Sequence, residues 1–274
     1  MLTDLFEYKF LQYALVSGIL ASCACGIIGV IIVEKKMIMM SGGIAHTSYG
    51  GVGLGYLLNF EPIIGAFLFA LAAAFGIGYL RRRGGERFDV IVGLFWSLGM
   101  ALGILFIALM PGYPPDLNSY LFGNILTVTE FDLWLMFALT LFVVLIVAAF
   151  FNTWKAYLFD EEYTEISGFN TRVLEYLLLL LVSMSVVVLI RAVGIILALA
   201  LLTAPAATSV LLTSRLSMRM VLSVLIGCFF CIAGLWLSYI ADIASGAAIV
   251  MLSAVCYFTV YIIKSRVRGD KKHG

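Results

Sequence analysis

The chain has 274 residues, 63% of them hydrophobic and 12% charged, with a formal net charge of +1. Soluble domains carry about 25% charged residues; so few here cannot clothe a water-soluble fold, and the mean hydropathy of +1.10 places most of the chain in lipid. The near-zero net charge leaves no basic field for nucleic acid.

A helix crosses the hydrocarbon core with about 20 largely apolar residues, and barrel strands would need an alternating polarity that is absent here. The expected fold class is all-α: a polytopic transmembrane helical bundle of eight to nine spans, forming one transmembrane domain over 1–274 in the cell membrane. In chain order the candidate spans are 11–33, 41–59, 62–80, 88–110, 131–151, 173–190, 192–213, 219–240 and 246–264. The second is the shortest and the richest in glycine. Arg191 and Gly194 divide the sixth from the seventh. The opening MLTDLFEYKFLQYAL lacks the basic region and small-residue cleavage site of a removable signal, so the first segment reads as a retained span. Just before it, Leu5, Phe6 and Phe10 set against Asp4, Glu7 and Lys9 predict an amphipathic stretch along the outer interface.

With the N-terminus outside and nine spans alternating, all but Lys9 and Arg191 of the 17 basic residues fall inside, with the C-terminus cytoplasmic. Two connections are longer than the rest, the outer 111–132 and the inner 152–172. Neither is large enough for a soluble domain.

The second span holds His46 within SGGIAHTSYGGVGLGY. An imidazole at that depth is expensive unless it faces protein or a watery cavity, and it is a borderline ligand for zinc, manganese or iron. Either it meets an ion or it hydrogen-bonds a neighbouring helix. Ser41, Thr47 and Ser48 add oxygen nearby. Gly42, Gly43, Gly50, Gly51, Gly53 and Gly55 suit either close helix contact, as in Gly51-x-x-x-Gly55, or a helix bent beside a pathway. The inner connection carries Asp160, Glu161, Glu162 and Glu165 and then Gly168, which reads as a short helix and either a docking surface or a solvated loop. Pro205 lies inside the seventh span, where it frees a carbonyl that Thr203, Thr208 or Ser209 can satisfy. Asp242, at the outer end of the eighth span, is an entrance carboxylate or an interfacial anchor.

Cys23, Cys25, Cys228, Cys231 and Cys256 all fall in apolar runs and read as small apolar side chains; a thiolate or redox site at Cys228-x-x-Cys231 is the alternative. His273 sits in a polar tail beside Lys271 and Lys272. No phosphate-binding G-x-x-x-x-G-K-[ST], no H-E-x-x-H and no G-x-S-x-G occurs, and the span centres hold almost no charge, which speaks against an ion-driven proton relay.

Six blocks then stand in one order over nearly the whole chain: SGGIAHTSYGGVGLG around His46, RFDVIVGLFWSLGMALGILF at 87–106, SYLFGNILTVTEFD at 119–132, LFDEEYTEISGFN at 158–170, VGIILALALLTAPAATSVLL at 193–212 and SYIADIASGAAIVML at 238–252. In these the chain resembles the permease subunits of ABC importers for zinc, manganese or iron(II), the ABC-3 metal-uptake permeases. The resemblance implies a non-enzymatic transport subunit that works as a homodimer in the lipid bilayer. It further implies separate cytoplasmic ATPases that alone use ATP, an extracellular or periplasmic metal-binding protein, no permanently bound cofactor and a transported Zn2+ or Mn2+. It implies that His46 meets the ion in transit; Ser41, Thr47, Ser48 and Asp242, from the residues alone, are further candidate donors. Asp160, Glu161, Glu162, Glu165 and Gly168 would contact the ATPase. Many members carry an aspartate four residues before that histidine, on the same helix face; here the position is Gly42. Loss of a hard oxygen ligand favours zinc over manganese in the sequence reading. The rivals are an ABC permease for a metal chelate of the siderophore or cobalamin type, an ion-coupled secondary metal transporter, and a membrane scaffold that transports nothing.

Overall fold

The computed structural model describes residues 8–82, 88–112, 123 and 125–273, the side chains of residue 88 and of 267–273 excepted. The amphipathic stretch expected before residue 8, Arg83, Arg87, most of the 111–124 connection and the His273 side chain lie outside that description.

The described residues form helices and one 3-10 turn. The helices are α1 Lys9–Glu34, α2 Ile38–Leu57, α3 Pro62–Arg82, α4 Phe88–Ala108, α5 Glu130–Ala149, α6 Phe151–Phe159, α7 Glu161–Ile166, α8 Thr171–Val193, α9 Ile195–Leu212, α10 Leu216–Ala241 and α11 Ser245–His273, with the 3-10 turn at Ile125–Thr127 before α5. Each expected span is found as a helix. The division at Arg191 and Gly194 is the α8–α9 joint, where Gly194 takes φ 83°, a left-handed backbone open to glycine.

Eight of the helices are long and apolar enough to cross a membrane; α2 is not among them. Its glycines, serines and histidine lower its hydropathy, and tertiary packing removes the need for more. α2 lies between α3 and α4 and also touches α8 and α9. Nearly all of its length is buried against protein rather than lipid.

Glycine is what allows this. A Cβ on Gly51 would overlap the backbone of Gly65 in α3, and a Cβ on Gly53 would come 2.6 Å from the Gly103 carbonyl of α4. The Gly51-x-x-x-Gly55 face therefore meets α3, and the Gly50/Gly53 face meets α4. Tight helix contact, one of the two readings of these glycines, is the arrangement seen. Gly51→Val is expected to separate α2 from α3 and to cost about 3 kcal/mol or more. A lowered thermal midpoint of the detergent-solubilised protein would register it; an unchanged midpoint would mean that α2 is not packed in this way.

Charges gather at the two ends of the bundle. At one end Lys35 pairs with Glu161 at 2.6 Å, Arg219 with Glu34, and Arg81 and Arg82 both with the buried Glu175 of α8. At the other, Arg191 at the end of α8 donates to Asp132 at 2.6 Å and to Glu61 at 3.1 Å. Asp132 also closes a capping box with Thr129 at the start of α5. Arg191, one of two basic residues placed outside by the sequence reading, thus ties the ends of α3, α5 and α8 together.

Candidate functional site

His46 sits midway along α2, facing α4. Its imidazole lies nearly parallel to the indole of Trp96, with ring centroids 4.0 Å apart and planes 10° apart. Nδ1 is buried and has no hydrogen-bond partner among the described residues. Nδ1 thus makes no hydrogen bond to a neighbouring helix. Leaving a buried polar atom unpaired costs about 1–3 kcal/mol. A neutral imidazole nitrogen in that state is a free Lewis base, suited to a borderline divalent ion.

The three hydroxyls named beside His46 do not converge on it. One and two residues along a helix lie well around its circumference. Ser41 donates to the Ile38 carbonyl at 2.7 Å and Ser48 to the Ala45 carbonyl at 2.6 Å. The Thr47 hydroxyl lies 2.7 Å from the Gly43 carbonyl and 2.9 Å from the Phe95 carbonyl of α4, so it fastens the two helices together. On the His46 face itself the neighbour one turn back is Gly42. A Cβ there would meet Cζ3 of Trp96 at 3.3 Å.

Asp242 is elsewhere. It ends α10 in a left-handed conformation (φ 52°) and borders a cavity of about 950 Å³ lined mostly by apolar residues, Phe10, Leu11 and Trp236 among them. α10 packs against α1, α9 and α11. The cysteines are free; Cys231 Sγ lies 3.5 Å from Ser22 Oγ, where α10 meets α1. Among the described residues no three or more His, Cys, Asp or Glu side chains come together in a way that could hold a metal ion. Among the described residues His46 therefore belongs to no such group of three or more.

The short acidic helix expected within 152–172 is α7, preceded by a second short helix, α6, and its acids are largely occupied. Asp160 caps α7 by accepting from the Tyr163 amide at 3.1 Å. Glu161 pairs with Lys35, and Glu165 accepts from the Thr171 hydroxyl. Gly168 turns the chain at φ 88°, and Glu162 is exposed. Lys35 also lies 3.5 Å over the Tyr157 ring, and burial, followed by the Glu175 and Glu161 carboxylates, pushes the Tyr157 phenol up, so it stays neutral beneath the ammonium. Among the exposed acids α6 and α7 also present large apolar side chains: Phe159 is 77% exposed, Tyr163 61% and Ile166 85%. They are spaced four and three residues apart.

Trp96 and the Phe159, Tyr163, Ile166 row were not singled out from the sequence. For the row, the four-and-three spacing was the available signal. For Trp96 the signal was its place one turn before Gly99 and two before Gly103, the small residues by which α4 reaches α2.

The family model of the ABC 3 transport family matches residues 7–264. The chain belongs to that family. An uncharacterized membrane protein of Synechocystis sp. is 39% identical to this family member over 251 residues, covering 92% of this chain and 89% of that one. The manganese transport system membrane protein MntC of Listeria monocytogenes is 36% identical over 261 residues, covering 95% and 93%. Among solved structures, PsaBC from Streptococcus pneumoniae in complex with Fab superposes with a TM-score of 0.85 at 31% identity, covering 95% and 94%. The resemblance drawn from the six sequence blocks is borne out at the level of the family, and the family member described here is a multi-pass membrane protein.

Proposed function

We propose that this protein is the membrane-spanning permease subunit of an ATP-driven importer of divalent metal ions, with manganese the first ion to test and zinc the second. Membership of the ABC 3 transport family over residues 7–264 carries the reading. The manganese name of the Listeria relative supports placing manganese first, which reverses the order suggested by Gly42 alone. The basic end of the bundle, with Lys35, Arg81, Arg82 and Arg219, faces the cytoplasm, and the end with Glu61, Asp132 and Arg191 faces outward.

Two copies of the chain form the pathway. A cytoplasmic ATPase docks on α6 and α7, and an extracellular metal-binding protein delivers the ion. ATP binding and hydrolysis in the partner bias the permease between outward-open and inward-open states through differential docking. The unpaired Nδ1 of His46 supports its role as the nitrogen an ion meets in transit.

The test is uptake into proteoliposomes holding the permease and its ATPase, with the binding protein outside and ATP inside. ATP-dependent accumulation of Mn2+ is the expected result. Accumulation of Zn2+ alone would reassign the ion, and accumulation of neither would overturn the reading.

A further inference from the structure

We propose that Trp96 is the positioning residue of the His46 site, and that it keeps the site to one protein donor. The inference deepens the transport reading above and rests on it.

Gly42 and His46 lie four residues apart on one face of α2, so position 42 is where the same helix could supply a second donor. The indole of Trp96 borders that volume closely, with Cζ3 3.3 Å and Cε3 3.9 Å from a Cβ placed on Gly42, so a side chain there requires the ring to give. The same indole lies flat against the imidazole at 4.0 Å. One side chain thus sets the plane of the His46 ring and occupies the place beside it.

The indole cannot be relieved by moving α4 away. The Thr47 hydroxyl is bonded to the Phe95 carbonyl at 2.9 Å, immediately before Trp96. Gly99, a turn further on, brings the α4 backbone against that of Thr47, and Gly103, two turns on, meets the ring and carbonyl of Tyr49 in α2. Trp96 is held at its root on both sides, and a larger residue at position 42 has to displace the ring itself.

The consequence is chemical. Affinity for a divalent ion rises with each donor, and first-row ions are discriminated by donor type and geometry. An ion that meets His46 alone keeps most of its water and leaves again; an ion gripped by imidazole and carboxylate together stays. Trp96 therefore favours passage over retention.

The experiment uses the full-length purified permease without ATPase or ATP, loaded with MnCl2 or, separately, ZnCl2, then desalted. Retained metal is measured by mass spectrometry, and bound Mn2+ by electron paramagnetic resonance. Gly42→Asp alone is expected to retain no more metal than the parent, because the indole bars the carboxylate from the ion. Gly42→Asp combined with Trp96→Leu is expected to retain at least about tenfold more Mn2+, and to lose it again when His46→Ala is added. If Trp96→Leu does not elute as a single species, Trp96→Phe, which keeps a stacked ring but lacks the fused one, replaces it in the pair. Equal retention by Gly42→Asp with and without Trp96 overturns the proposal. So does a folded double variant that holds no more metal than the parent. Because nothing in this assay is transported, a failure of ATP-driven uptake overturns the transport reading separately.

Discussion

His46→Ala is expected to lower ATP-driven Mn2+ uptake by more than about 100-fold while the permease still folds and still binds its ATPase. Groups that merely orient a metal ligand are worth about 10- to 100-fold, and here the ligand itself is removed from a place where, among the described residues, no three His, Cys, Asp or Glu side chains gather. The fold should survive, since the stack on Trp96 is worth about 0.5–1.5 kcal/mol and removing the ring also removes an unpaired buried nitrogen. His46→Phe separates the two roles: it restores a ring against Trp96 and supplies no nitrogen. Uptake should stay at background in both variants, measured in the proteoliposomes above against the amount of assembled complex. Wild-type uptake by His46→Phe would make the residue a packing ring and take it out of the route.

Tyr163→Asp combined with Ile166→Asp is expected to release the ATPase from an otherwise intact permease. Large apolar side chains exposed together outside the spans mark an interaction surface, and Tyr163 and Ile166 are 61% and 85% exposed. Burying a side chain of that size against a partner stabilises by about 1.5–3 kcal/mol, so losing two weakens docking by about 100-fold or more. Neither side chain supports the permease itself, which is held at this end by Lys35–Glu161, Arg219–Glu34 and the two arginines on Glu175. Co-purification of the ATPase on a tagged permease reads the effect. Glu162→Ala is the control and should change little, because an exposed ion pair is worth at most about 1 kcal/mol. Full retention of the ATPase by the double variant would move the docking surface elsewhere.

The contrast between these two sites shows how far one dimension reaches. The sequence located one short acidic helix, α7, and the closing Gly168, because caps and turns are local chemistry. It could not say that Glu161 and Glu165 are already engaged, since Lys35 is 126 residues from Glu161 along the chain. Asp160, Glu161 and Glu165 hold α7 in place, and Phe159, Tyr163 and Ile166 are exposed among them. Around His46, the imidazole was visible as a costly polar group in an apolar run, and Gly42 as an empty position one turn before it. Trp96 was not, because the stack joins two helices separated by a third, α3.

By itself the sequence determined the membrane setting, the helical spans and the placement of basic residues at one end, because lipid demands internally bonded backbone and long apolar runs whatever the tertiary arrangement. It also determined that α2 would be the odd helix, poor in apolar bulk and rich in glycine. Only the tertiary structure decided what the glycines are for, which of the polar residues near His46 face it, and what stands in front of Gly42. Those outcomes depend on the few ångströms between α2 and α4, a distance set by Gly53 against Gly103 and Thr47 against Phe95, which no pattern within either helix encodes alone.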